Sequence, residues 1–222
     1  MVGVSDAVLA ILTRAPSSGG KRRLFQALGM PPDAELLRAL LLDTLDGTAL
    51  PDLRRVIAVT PAASCDEVRA MAGAIDVMPQ ASGDLGERMQ ATMAALFRQG
   101  AAAVALIGSD VPHIAPAAIA ELFDLLARDG DALVLGPAAD GGYYLLGARR
   151  VPAVFAGVEW GSSRVFAHTV RAAVADGFRV HQLSPLSDVD TADELRDAVR
   201  GGRAPRTAAW VHTHAPYLLA SA

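Results

Sequence analysis

Four short apolar runs constrain this chain most: AVLAIL at 7–12, VIAV at 56–59, AVALIG at 103–108 and ALVLG at 132–136. None alternates with polar residues, as a strand with one wet face would, so each suits a strand covered on both faces. Segments with helical spacing lie between and after them. Asp33 stands as N-cap before AELLRALLLDTL, and Cys65 to Ala72 is a short helix. Gly83-Asp84 introduces LGERMQATMAALFRQG, which Gly100 closes, and Pro116 starts AAIAELFDLLARDG, which Gly130 ends. Strand and helix in alternation predict an α/β fold with a mostly parallel central sheet and helices on both faces.

After Gly136 the rhythm changes. Asp140-Gly141-Gly142 between two apolar runs is a hairpin signal, with YYLLGA as the returning strand. Tyr143 and Tyr144 alternate faces, one expected in the core and one beside a pocket. VPAVFAGVEWGSSRV then leads into a helix over roughly 164–175, FRVHQL at 178–183 reads as a strand, SDVDT as a loop and ADELRDAV as a final helix. Residues 1–200 are expected to form one domain. Residues 201–222, GGRAPRTAAWVHTHAPYLLASA, read as a loop-like tail, disordered or lying on a neighbouring surface.

Composition narrows the function. With 222 residues and 52% hydrophobic content the chain can bury its own core. No apolar run approaches the ~18 residues of a membrane span, and no basic segment precedes the first run, so a cytoplasmic protein is expected. The single cysteine, Cys65, leaves no internal disulfide and no multi-cysteine zinc site, so a metal would be held by oxygens. A net charge of −4 offers no basic field for nucleic acid. The partner expected is a small molecule, and a homodimer is left open.

In an open parallel sheet, ligands sit beyond the carboxyl ends of the strands. TRAPSSGGKRRL, 13–24, follows the first strand there. Its small residues let backbone N–H groups approach phosphate oxygens, and Lys21 with Arg23 can neutralise charge on a leaving group. The loop lacks P-loop spacing and equally suits an ordinary connection with solvated basic residues. GSDVP, 108–112, sets Ser109 and Asp110 at a strand end, where a carboxylate and substrate phosphates could complete the shell of Mg²⁺; an Asx-turn aspartate is the plainer reading. Asp188 and Asp190 point the same way in an extended loop and could share that cation, although Asp190 or Thr191 also suits a helix cap. Arg88 could reach an anion or remain an ordinary first-turn residue. Ser162 and Ser163 precede a helix whose free N–H groups could hold an anion, or they simply cap it. No nucleophile and base pair stands out. Cys65 reads as packing or surface, His113 as an exposed loop residue, His168 and His181 as parts of a helix and a strand, and His212 with His214 as a weak metal signal.

Taken in order, KRRL, QASGDLGERM, IGSDVP, GPAADGGYYLLG, WGSS and DVDTADEL resemble a bacterial family of the nucleotide-diphospho-sugar transferase superfamily. Its members are described as glycosyltransferases, some of them as arsenosugar-biosynthesis glycosyltransferases. The resemblance covers about residues 9–199 and implies a GT-A-like (Rossmann-like) three-layer αβα sandwich with a divalent metal, Mg²⁺ or Mn²⁺. The same pattern is similar to the phospholactate guanylyltransferases. By that resemblance Lys21, Asp110, Asp188 and Asp190 serve the triphosphate and Mg²⁺, while Asp140, Gly141, Gly142, Gly161, Ser162 and Ser163 hold the acceptor. The chain departs from it at Arg22, where those enzymes often read KTRL, and at Val111, where SDCP is usual.

Glycosyl transfer from a nucleotide sugar to a small-molecule acceptor is therefore the first expectation. Asp110, Asp188 and Asp190 would hold the metal, Lys21, Arg23, Arg88 and Ser109 the phosphates, and Asp140 would orient the acceptor and serve as base. The alternative is nucleotidyl transfer from an NTP to a phosphorylated or carboxylate acceptor with release of pyrophosphate. A non-catalytic nucleotide-binding protein is the third reading.

Overall fold

A seven-stranded sheet runs through the computed structural model, which describes residues 6–220. The strands are β1 (Ala7–Arg14), β2 (Arg54–Thr60), β3 (Asp76–Pro79), β4 (Ala103–Gly108), β5 (Ala132–Pro137), β6 (Tyr143–Ala148) and β7 (Arg179–Gln182), in the order β3-β2-β1-β4-β6-β5-β7. Every neighbouring pair is parallel except those of β6, which is inserted antiparallel between β4 and β5. The Asp140-Gly141-Gly142 hairpin is what folds β6 back beside β5, and it brings the turn to the carboxyl edge of the parallel strands.

β1 shows why the apolar runs do not alternate. Leu9 and Ile11 join a buried cluster under α2 (Ala34–Gly47), α3 (Cys65–Ala72) and α5 (Pro116–Arg128). Val8 and Ala10 point the other way, into a cluster under α4 (Leu85–Arg98) and α6 (Val165–Ala175). Both faces are thus covered, which makes three layers. Truncating a wholly buried Leu9 or Ile11 to Ala should cost about 2–5 kcal/mol. Across the hairpin, a Cβ at Gly136 would stand 2.4 Å from Tyr144 Cζ, so the tyrosine ring crosses over a position that admits no side chain.

The helix ends follow the expected chemistry. Asp33 accepts a hydrogen bond from Glu35 N (2.6 Å) at the start of α2, and Asp84 and Glu87 form a reciprocal capping box on α4. Thr191 and Glu194 do the same for α7 (Ala192–Arg200).

Two elements go beyond the sequence expectation. β3 is a four-residue edge strand, and Pro205–His214 of the segment read as loop-like form helix α8. The residue before α8, Ala204, has no side chain to cap it, and Asp43 on α2 supplies the cap instead. Wholly buried, its carboxylate accepts from Arg206 N (3.2 Å), Thr207 N (2.8 Å), Thr207 Oγ1 (2.8 Å) and Arg206 Nη1 (3.1 Å). Trp210 Nε1 donates to Asp33 Oδ2 (3.1 Å), the other oxygen of the α2 cap. With α1 (Arg22–Leu28) and α7, these helices enclose a third apolar cluster containing Phe25, Leu40, Leu195 and Trp210. His212 and His214 turn Nδ1 to carbonyls of their own helix, those of Ala208 and Trp210. Among the described residues no helix is long and apolar enough to cross a membrane.

Candidate active site

Beyond the carboxyl ends of β1 and β4 opens a cavity of about 850 Å³, within the size range of small-molecule sites. Its floor is set by the first loop. After β1 the chain makes a tight turn at Pro16–Ser18, passes Gly19 and Gly20 at positive φ, and reaches Lys21, itself left-handed at φ 49°. That conformation costs a lysine of order 1 kcal/mol, strain of the kind that gathers at functional sites. It lets the ammonium fold inward, where Nζ donates to Asp110 Oδ2 (2.5 Å) and to Asp190 Oδ1. Lys21 is also the only lysine among the chain's 20 Lys and Arg residues.

Asp110 owes its place to its neighbours. Ser109 N donates to Leu12 O (3.1 Å), tying the end of β4 to β1, and Gly108 leaves room for the carboxylate: a Cβ there would stand 2.4 Å from Asp110 Oδ1. The Asp188–Asp190 loop is fastened to the same turn by Val189 N, which donates to Asp110 O (2.9 Å) while the valine side chain is buried. Asp188 and Asp190 flank that anchor, and oxygens of Asp110, Asp188 and Asp190 lie within 4.8 Å of one another. The two roles open for this loop are divided: Thr191 caps α7, and the Asp190 carboxylate turns to Lys21.

The electrostatics follow from three acids around one ammonium. Burial works against the charge on Lys21, but Asp110 and Asp190 outweigh it and hold the ammonium well above the usual lysine range. Burial, then the charge of Asp110, pushes the Asp188 carboxyl up to about 7. The cluster therefore carries more negative charge than its one cation offsets, and its donors are all carboxylate oxygens, the set that suits Mg²⁺ or Mn²⁺.

The hairpin and the loop before α6 form the opposite wall. Asp140 Oδ1 accepts from Gly142 N (2.8 Å), which shapes the turn. Gly141, at φ 89°, lies so close to Ser163 that a Cβ would stand 2.3 Å from its carbonyl oxygen, and Gly141 O accepts from Phe166 N (2.8 Å). The hairpin carbonyl thus takes up an N–H of the first turn of α6, one of those that the sequence left open between an anion and a simple cap. Of the expected site residues, Lys21, Arg23, Ser109, Asp110, Asp140, Gly142, Gly161, Ser162, Asp188 and Asp190 line the cavity. Three do not. Gly141 and Ser163 pack against each other behind the wall, and Arg88 turns its Nε to Asp84 O.

The cavity also has members the sequence reading missed. Arg14 and Arg22 join Lys21 and Arg23, and Leu85, Met89 and Trp160 make an apolar side together with Tyr143, one of the two tyrosines of which one was expected beside a pocket. Trp160 immediately precedes the GSS segment already singled out, and Leu85 and Met89 lie one turn apart at the start of α4, so proximity to known motifs was the available signal. Tyr143 and Tyr144 do take opposite faces, Tyr144 in the cluster under α5 and Tyr143 packed on the other, yet both reach the cavity.

Comparison with known proteins bears on the family and the fold. Residues 44–162 match the family described as "Uncharacterized protein conserved in bacteria (DUF2064)". A phosphoenolpyruvate guanylyltransferase of Nocardia farcinica is 29% identical over 218 residues, covering 91% of this chain and 90% of that protein. Its namesake in Salinispora arenicola is 32% identical over 203 residues, covering 88% and 89%. A crystal structure from Desulfovibrio desulfuricans, provisionally described as a nucleotide-diphospho-sugar transferase, superposes with a TM-score of 0.84 at 30% identity, covering 95% of this chain and 96% of that one. The chain is thus a transferase with the GT-A-like, Rossmann-like αβα fold, and it belongs to the bacterial DUF2064 family.

Proposed function

We propose that this protein is a nucleotidyltransferase: it joins the NMP part of an NTP to a small acceptor and releases pyrophosphate. The observation that carries the reading is Lys21, a lone lysine held between Asp110 and Asp190 in a cavity whose basic residues all belong to the stretch joining β1 to α1. Four cations from residues 14–23 match the charge of a triphosphate, and the two guanylyltransferase relatives span about nine-tenths of the chain.

Asp110, Asp188 and Asp190 would hold the divalent cation, with Ser109 beside them at the end of β4. When bound, such an ion offsets charge on the phosphoryl oxygens. Lys21 then leaves its carboxylate partners for the phosphates and neutralises the charge that gathers on departing pyrophosphate, assisted by Arg23. Asp140, exposed on the hairpin with one oxygen committed to Gly142 N, orients the acceptor and takes its proton where the attacking group carries one. Gly142, Gly161 and Ser162 border the same space. Gly141 and Ser163 pack against each other outside the lining.

Glycosyl transfer from a nucleotide sugar, the first expectation from sequence, keeps one observation in its favour, the description carried by the Desulfovibrio protein. The products separate the two. With Mg²⁺, GTP as the first nucleotide tried and a panel of phosphorylated and carboxylate acceptors, acceptor-dependent pyrophosphate should appear. Nucleoside diphosphate released from nucleotide sugars, with no pyrophosphate from any NTP, would replace this reading by the glycosyl one. Nucleotide binding without turnover in either screen would favour the non-catalytic reading.

A further inference from the structure

The charges of the cavity wall are segregated by segment. Its basic side chains, Arg14, Lys21, Arg22 and Arg23, all come from the one stretch that runs from the end of β1 to the start of α1. From residue 85 onward the wall holds the carboxylates of Asp110, Asp140, Asp188 and Asp190 and, among the described residues, no Lys, Arg or His. The arginines that flank this half in sequence are engaged elsewhere: Arg88 Nε donates to Asp84 O, and Arg164 pairs with Glu159. The remainder of this half is uncharged, with the hydroxyl groups of Ser109 and Ser162 beside a mainly apolar surface. Leu85 is 38% exposed at the start of α4, unusual for a leucine in this molecule, and faces the cavity beside Met89 and Trp160. Trp160 is pressed to α4 so closely that a Cβ on Gly86 would stand 2.7 Å from its Cζ2. A large apolar surface held open in a cavity marks where a ligand covers it.

We propose that the acceptor taken at this end has, beyond its attacking group, an uncharged body with an apolar face, and that a compact multiply charged acid such as phosphoenolpyruvate is a poor substrate. The inference rests on the nucleotidyl-transfer reading. In that reaction a phosphate oxygen of the acceptor bonds to the α-phosphorus of the NTP, and the bond from that phosphorus to the bridging oxygen breaks. Pyrophosphate leaves with the electron pair. The donor's phosphates occupy the cations of residues 14–23, so beyond the metal ion that Asp110, Asp188 and Asp190 would hold, a carboxylate on the acceptor meets Asp140 and no basic side chain. An apolar face instead gains by leaving water against Leu85, Met89 and Trp160.

Phenyl phosphate and phosphoenolpyruvate form a suitable pair, since both present a phosphate monoester and only the second adds a carboxylate. With Mg²⁺ and GTP, kcat/KM for pyrophosphate release should be at least about tenfold higher with phenyl phosphate, a gap of the size one unpaired charge produces. Leu85→Arg, at an exposed position, should narrow the gap by improving phosphoenolpyruvate. Trp160→Ala should raise KM for phenyl phosphate selectively, with Trp160→Phe restoring it. Equal or better turnover of phosphoenolpyruvate by the unaltered protein overturns the proposal. If neither compound releases pyrophosphate, calorimetry with Mg²⁺ and the α,β-methylene analogue of GTP distinguishes the failures. Tighter binding of phenyl phosphate keeps the acceptor inference while the nucleotidyl-transfer reading falls, and equal, weaker or absent binding of phenyl phosphate overturns the inference itself.

Discussion

Lys21 concentrates the chemistry at the scale of one residue. A guanidinium keeps the charge but is a planar fork, too broad for a position where a compact ammonium touches two carboxylates. Lys21→Arg should therefore lower kcat by about 100-fold, the range seen when a donor to a developing charge is lost, with the fold unchanged by circular dichroism. Activity within a few-fold of the unaltered protein would show that the ammonium has no specific part. Asp188 gives a second prediction. Its carboxyl is raised from an ordinary value near 4 to about 7 by burial and by Asp110, so the folded protein binds a proton that the unfolded chain does not. The stability this confers is complete below about pH 4 and is lost as pH rises through about 7. Thermal melts of metal-free protein should show that loss across this window, and Asp188→Asn should abolish this part of the pH dependence. Affinity for Mn²⁺ should climb over the same interval, because the cation displaces the proton.

Among the elements, those with their own local signals were legible. Asp33, Asp84 and Thr191 cap the helices they precede, and α3 begins at Cys65 and ends at Ala72 as its spacing indicates. β3 and α8 were not legible, for different physical reasons. β3 is too short for a period, opens on an exposed Asp76 and closes on Pro79, which an edge strand tolerates. α8 has no N-cap of its own, and its cap arrives from Asp43, more than 160 positions earlier. Asp43→Ala removes four hydrogen-bond acceptances at a buried site and should cost roughly 3 kcal/mol. At about 2–4 °C per kcal/mol, the melting temperature should fall by about 6–12 °C. A change under ~2 °C would mean that α8 contributes little to holding α2.

For the molecule as a whole, the sheet order decides what meets. Arg14 to Arg23, Ser109 with Asp110, the Asp140 hairpin and the Asp188–Asp190 loop are far apart in sequence, yet β1 and β4 are neighbours and β6 returns beside β4, so all four reach one edge. Each segment could be suspected singly from glycines, a proline turn or paired acids. Their convergence came from the predicted parallel sheet and the ordered family motifs. What no local pattern carried was the division of the wall into a basic stretch and a remainder with acids and a mainly apolar surface, because nothing in the spacing of Leu85, Met89 and Trp160 assigns them to a cavity. Arg88 and Ser163 stand outside the lining: Arg88 Nε donates to Asp84 O, and the Ser163 backbone packs on Gly141. The joint site for cation and nucleotide can be measured by paramagnetic titration of Mn²⁺ into unaltered protein and Asp110→Asn, each with and without GTP. The unaltered protein should bind Mn²⁺ far more tightly with GTP present, and Asp110→Asn should lose at least about 100-fold in that affinity while keeping its melting temperature. Equal Mn²⁺ affinity in the two proteins in the presence of GTP would contradict the assignment of Asp110, and with it the active site described for this fold.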